Sequence, residues 1–221
     1  MLGEYTYLEI GSYLGGSIQP HLVDDHCRRI YSIDKRPRTM PDARGVDWTY
    51  LNNSTARMLE NLRGVAPDKV NKVTTIDGET SQLDPSVIKD KVDLCLIDGE
   101  HTDRAVLADF EFCLRVMAPK GAILFHDAQV TYGGIIQCIK LLNAKSVPFH
   151  AYPLPQIVFA IEIGGFPIHE HVTIRERLVN SYQSYLYALQ DNDHYRRFAN
   201  RYPFRVARSL VAKIRGRAVS E

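Results

Sequence analysis

Five short apolar runs, Tyr5–Ile10, Ile30–Ile33, Val70–Ile76, Val92–Ile97 and Ala122–Phe125, alternate with helix-period stretches over the first 145 residues. Alternation of this kind predicts crossover units feeding a parallel sheet, with each run buried on both faces. Between the last two runs, Val106, Phe110, Leu114 and Met117 recur at spacings of three and four and predict a helix over 102–117. Ala118-Pro119-Lys120-Gly121 should end it, since proline lacks a donor and glycine takes the turn easily. A further helix is expected over Ile135–Leu142, and two strands, Phe149–Leu154 and Ile157–Ile163, around Pro155-Gln156. The expected architecture is therefore α/β, a doubly wound and mostly parallel sheet closed by an antiparallel hairpin.

The remainder, from 166 to 221, reads as a C-terminal helical extension to a 1–165 domain. A long helix is expected from Thr173 to about Ala199, bearing Leu178, Tyr182, Tyr185, Leu186 and Leu189. After Pro203 an amphipathic basic helix carries Phe204, Ala207, Val211 and Ile214 on one side, with Arg205, Arg208, Lys213 and Arg215 elsewhere. From Arg196 onward eight Lys or Arg stand against one acid, whereas the body is net acidic. Such a tail suits a neighbouring subunit, anionic lipid or nucleic acid. No apolar run approaches the ~18 residues of a membrane span, and the four scattered cysteines match neither a zinc nor a redox spacing. Reduced thiols and a cytoplasmic location are expected.

Chemistry concentrates where strands end. Glu9-Ile10-Gly11-Ser12-Tyr13-Leu14-Gly15-Gly16-Ser17 follows the first run, and its spacing, G-x-x-x-G-G, differs from the dinucleotide fingerprint G-x-G-x-x-G. Gly11 permits a sharp turn, and Gly15 and Gly16 leave backbone open to a ligand. Asp34 ends the second run, where a carboxylate can accept both hydroxyls of a ribose. Asp98-Gly99-Glu100-His101 and His126-Asp127 end the fourth and fifth. If those strands neighbour the first, Asp98, His101, His126 and Asp127 share a rim with the glycine loop. Their oxygens suit a hard cation such as Mg2+, and an imidazole can take a proton from a hydroxyl held there. Asp103 and Asp109 read as a helix-start acid and a solvated helix face.

Leu8–Gly11 through Gly16-Ser17, with Asp34, Ile97–His101 and Phe125–Asp127, resemble the class I S-adenosylmethionine-dependent methyltransferases. Within them the likeness is greatest to small metal-dependent O-methyltransferases of sugars and macrolides. The resemblance covers residues 5–163 and implies a Rossmann-like sheet of seven strands. It implies S-adenosylmethionine as cofactor, held by Glu9, Gly11, Ser12, Gly15, Ser17, Asp34, Asp98 and the Asp77–Thr80 segment, with Asp77 the representative of that segment. It further implies Mg2+ at Asp98, His126 and Asp127, with His126 in place of the first acid of the family's acidic pair, and His101 as base. The implied acceptor is a hydroxyl on a sugar or other polyhydroxylated small molecule. A homo-oligomer is expected. Nucleic acid is not expected as a partner, because no Asn/Asp-Pro-Pro-aromatic motif follows the fourth run. An RNA methyltransferase or binder using the basic tail is the competing reading, and a nicotinamide-dependent dehydrogenase the more distant one. The chain begins almost at its first strand, so a lid must come from Pro41–Leu62, with Trp48, Tyr50 and Asn52, or from the tyrosine-bearing C-terminal helix, including that of a second subunit.

Overall fold

A computed structural model describes residues 3–41, 47–154, 157–176, 182–203, 206 and 207. The basic tail beyond residue 207, Phe204 and Arg205, the Pro155-Gln156 turn, Leu178 and the side chain of Trp48 lie outside the described residues. Two compact units divide the chain, Met1–Tyr182 and Gln183–Glu221.

The first unit is built on a seven-stranded sheet. Its strands are β1 (Tyr5–Ile10), β2 (Cys27–Asp34), β5 (Val73–Asp77), β6 (Val92–Ile97), β7 (Met117–Phe125), β8 (Phe149–Leu154) and β9 (Val158–Ile163). A separate antiparallel ribbon pairs β3 (Thr39–Pro41) with β4 (Asp47–Thr49). In the large sheet the order is β5-β2-β1-β6-β7-β9-β8, and only β9 runs opposite to the other six strands. The doubly wound fold with its closing hairpin is thus the observed one. Ile10 sits opposite both Ile33 and Ile97, and Ile97 opposite Phe125. The carboxyl ends of β2, β1, β6 and β7 are therefore level, and the residues just beyond them meet at one edge.

Side-chain burial follows from this layering. Beneath one face, α1 (Gln19–Val23) and α2 (Thr55–Val65) contribute Leu22, Met58 and Leu62 to a core with Tyr7, Ile30 and Leu96. On α3 (Asp103–Val116) and α4 (Ala128–Ala144), Val106, Phe110, Cys113, Ile135, Cys138 and Leu142 are buried. Thr102 caps α3 by accepting from Ala105 N–H at 3.2 Å, an interaction typically contributing ~1 kcal/mol. All four cysteines are free and buried.

Several boundaries differ from the sequence expectation. α3 stops at Val116, and Met117–Gly121 is already strand, since Met117 pairs with Val92. α4 starts at Ala128 and runs through Gly133-Gly134. A Cβ at Gly134 would lie 2.7 Å from Val106 Cβ, so this glycine lets α4 approach α3. β5 is an edge strand and only half buried, not covered on both faces as expected for every run. β7 adjoins β6 rather than β1, so the fifth run reaches the shared rim from one strand further out. Of the long helix expected from Thr173, the described residues give α5 (Val172–Arg175), followed by a turn at Glu176, and α6 (Tyr182–Asn200), while 177–181 lie outside the described residues. Among the described residues no helix is long and apolar enough to cross a membrane.

Candidate active site

The turn after β1 is fixed by contact. Gly11 has φ of +90°, and a Cβ there would stand 2.3 Å from the Asp98 carbonyl oxygen. Only glycine lets β1 end this close to the end of β6. Past it, Ser32 Oγ donates to Ser12 Oγ at 2.7 Å, and Gly15 packs on Met58 and Leu62. Glu9 lies fully buried, accepting from Tyr7 Oη at 2.7 Å and Ser17 Oγ at 2.6 Å. Burial pushes its carboxyl up to about 7, against the lowering pull of those two hydroxyls.

An open cleft of about 410 Å³ follows, lined by Ile10, Gly11, Asp34, Gly99 and the Gly78–Thr80 segment, with Ala105, Ala108 and Asp109 closing it from α3. Of the residues expected to hold a cofactor, Gly11 and Asp34 line this cleft. Glu9, Ser12 and Gly15 do not. They are buried behind the turn, where Tyr7 and Ser17 donate to Glu9, Ser32 donates to Ser12, and Gly15 packs on α2. Ser17 faces Glu9 rather than the cleft. Asp77 also departs from expectation: it is exposed and accepts from Thr55 Oγ1 at 2.5 Å, leaving Gly78, Glu79 and Thr80 to form the wall.

Asp34 is held from behind. Its oxygens accept from Tyr13 N at 2.8 Å and Arg36 N at 2.7 Å, and the buried Arg36 guanidinium lies 3.3 Å away. That guanidinium also donates to Tyr13 O, Asn53 Oδ1 and Thr55 Oγ1. Across the mouth, Lys35 Nζ meets Glu100 Oε2 at 2.5 Å. Burial works to raise Glu100, but Lys35 and Thr102 outweigh it and hold the carboxyl below its usual range.

Asp109 corrects the sequence expectation of a solvated acid. It is buried in the cleft wall and accepts a hydrogen bond from Thr80 Oγ1, and burial pushes it up to about 7. Together with Ala105 and Ala108 it forms an i, i+3, i+4 stripe. That pattern was present in the sequence, but a carboxylate in it reads as solvent-facing until β5 and its loop are placed opposite. Lys35 and Arg36 carried no comparable signal.

Next to the cleft, the ends of β6 and β7 assemble the second half of the site. Asp98, His101 and Asp127 each bring one donor atom within 4.8 Å of the others. His101 Nε2 is 3.3 Å from Asp127 Oδ2. Asp127 has φ of +50° and makes no side-chain cap to α4, a backbone state that aspartate tolerates better than most residues. His126 Nδ1 lies 3.2 Å from Asp98 Oδ1 and 3.5 Å from Asp127 Oδ2. It is buried without a hydrogen bond of good geometry, yet Asp127 and then Asp98 raise its imidazole to about 10. All four residues expected at the rim are therefore together.

A family model described as a methyltransferase domain matches residues 8–128, which span the glycine turn, the cleft and the whole rim cluster. The chain belongs to this methyltransferase family. Its fold is that of the class I S-adenosylmethionine-dependent methyltransferases. No curated protein matches this methyltransferase by sequence. Solved structures with similar folds include the O-methyltransferase NovP, at 13% identity over 72% of this chain and 71% of that one, with a TM-score of 0.56. TomG from Streptomyces achromogenes, an O-methyltransferase of tomaymycin synthesis solved with S-adenosylmethionine, gives 12%, 72%, 72% and 0.51. The calicheamicin methyltransferase CalS11 gives 14%, 71%, 71% and 0.52.

Proposed function

We propose that this methyltransferase moves the methyl group of S-adenosylmethionine onto a hydroxyl oxygen of a sugar or another polyhydroxylated small molecule. The observation that carries the reading is the adjacency of the open cleft at Gly11 and Asp34 to a cluster of two carboxylates and two imidazoles. NovP and TomG are O-methyltransferases, TomG holds S-adenosylmethionine, and CalS11 is described as a TDP-rhamnose 3′-O-methyltransferase.

In this reading Asp34 accepts from the ribose, while Gly11 and Gly99 let the backbone approach the nucleoside. The Gly78–Thr80 wall and the Ala105, Ala108 and Asp109 stripe enclose the base. The sulfonium then faces the Asp98 end. Two carboxylates whose donor atoms converge with an imidazole, beside a buried His126 nitrogen lacking an aligned partner, fit a divalent cation such as Mg2+. Asp98 and Asp127 would hold it, and it would supply acidification of a hydroxyl. His126 Nδ1 stands beside both carboxylates, 3.2 Å from Asp98 Oδ1 and 3.5 Å from Asp127 Oδ2, and the His101 imidazole is kept for proton transfer.

His101 removes the hydroxyl proton. The freed oxygen pair forms the O–CH3 bond as the S–CH3 bond breaks, and the electrons of the broken bond stay on sulfur, giving neutral S-adenosylhomocysteine. Positioning of the two reactants can supply roughly 7–11 kcal/mol of the barrier reduction. Incubating the protein with S-adenosylmethionine and a panel of sugar nucleotides and glycosides, with and without chelator, tests the reading by following S-adenosylhomocysteine release. Acceptor-dependent release that chelation and His101→Ala both suppress is the expected result. Tight cofactor binding with no transfer to any hydroxyl would overturn it.

A further inference from the structure

Just past the glycine turn stands an aromatic pair that does not line the cleft. Tyr13 follows the glycine turn and Tyr50 follows β4, and their rings meet edge to face with centroids 5.1 Å apart. Both are fixed by polar contacts from the cofactor side. Tyr13 N donates to Asp34 and its hydroxyl to Leu51 O at 3.0 Å. Tyr50 N donates to Arg38 O at 2.8 Å, and Asn53 in the same loop is tied to both Arg36 and Pro37. Arg36 therefore braces the ribose acid and the Tyr50 loop together.

Through Tyr13 the Tyr50 ring is tied to both half-sites, because Tyr13 N donates to Asp34 and Tyr13 lies two residues past Gly11, which abuts the Asp98 carbonyl. Burial first, and then the charges of Asp98, Asp127 and Asp34, raise the Tyr50 phenol above its ordinary value. It stays neutral and can donate a hydrogen bond. Leu51 beside it is 63% exposed, which leaves an apolar edge open to solvent at the same place. A half-buried, braced aromatic face next to an oxygen-binding cluster offers what a ring sugar needs: one flat C–H face to cover and one polar edge to engage. Aromatic rings supply such contact area at little entropic cost, since two side-chain torsions are fixed.

We propose that the Tyr13–Tyr50 pair is the acceptor platform, with the Tyr50 ring covering the C–H face of a pyranose whose hydroxyl lies at Asp98, His101 and Asp127. This rests on the hydroxyl-transfer reading above and adds the residue that selects the acceptor. Tyr13 positions Tyr50, and Tyr50 touches the substrate.

The test uses the full chain with S-adenosylhomocysteine and two ring probes, TDP-rhamnose and catechol. Upfield shifts of the sugar ring protons on binding are followed by NMR, and turnover with S-adenosylmethionine separately. Tyr50→Leu should raise KM for TDP-rhamnose tenfold or more with kcat changed less than threefold, and abolish the shifts. Tyr50→Phe, which keeps the ring and loses the hydroxyl, should retain the upfield shifts, with a KM between those of wild type and Tyr50→Leu. Folding of each variant is checked by unchanged S-adenosylhomocysteine affinity. Methylation of TDP-rhamnose that Tyr50→Leu leaves unchanged would overturn the platform while the transfer reading stands. Tyr50-dependent shifts of the sugar without any transfer would keep the platform and overturn the transfer reading. Stacking of catechol but not the sugar overturns the pyranose assignment, and binding of neither overturns the platform.

Discussion

His101 Nε2 lies 3.3 Å from Asp127 Oδ2, although one residue follows β6, the other follows β7, and all of α3 separates them in the chain. The contact exists because β6 and β7 are paired with Ile97 level with Phe125, so both strand ends deliver their next residues to the same edge. His101→Ala should lower kcat by about 10²–10⁴-fold, the usual contribution of a general base. Affinity for S-adenosylhomocysteine should change little, because His101 does not line the cleft. Single-turnover kinetics and calorimetric titration of the same variant check the two halves of this statement.

Gly11→Ala should be far more damaging than its size suggests. The new methyl would lie 2.3 Å from the Asp98 carbonyl oxygen in a left-handed backbone, and both β1 and β6 are central strands that cannot retreat. A loss of at least ~2 kcal/mol is expected from strain of this kind. It should be read as a lower urea midpoint with an unchanged slope, together with lost cofactor binding.

Arg36→Ala removes a buried cation that lies 3.3 Å from Asp34 and braces Asn53 and Thr55. Breaking a buried ion pair from one side typically costs about 3–5 kcal/mol. Arg36→Lys should recover little, since one ammonium cannot reproduce the planar fork that reaches Tyr13, Asn53 and Thr55. Thermal unfolding of both variants, with and without S-adenosylhomocysteine, checks this.

Two buried acids give the protein a characteristic pH response. Asp109 stands at about 7 in the fold and Glu9 also at about 7, each raised by burial above its ordinary value near 4. Below pH ~4 both folded and unfolded states hold these protons and neither acid penalises the fold. As pH rises from 4 through 7 the unfolded chain ionises first, so the stability these groups leave intact in acid is progressively lost. Asp109→Asn should flatten the stability profile between pH 4 and 8 by up to about 4 kcal/mol relative to the wild type. Chemical denaturation at a series of pH values measures the difference curve, and a parallel profile for the variant would contradict it.

The sheet was legible in the chain because its signal is local. Each β-branched run announces a strand, the helix-period stretches between them demand right-handed crossovers, and the hairpin pair after residue 149 closes the edge. Asp98, His101, His126 and Asp127 were legible for the same reason, since residues that directly follow parallel strands must surface at one rim. What lay beyond local signal was the orientation of each side chain. Whether Glu9 and Ser12 face a ligand or the core depends on which partners Tyr7, Ser17 and Ser32 offer from neighbouring positions. Asp77 turns to Thr55, and Asp109 turns inward, only because α2 and the β5 loop come to lie where they do. The sequence by itself determined which segments are strands and which chemistry waits at their ends. Tertiary structure decided which of those groups meet the cleft, because desolvation and pairing act between elements far apart in the chain.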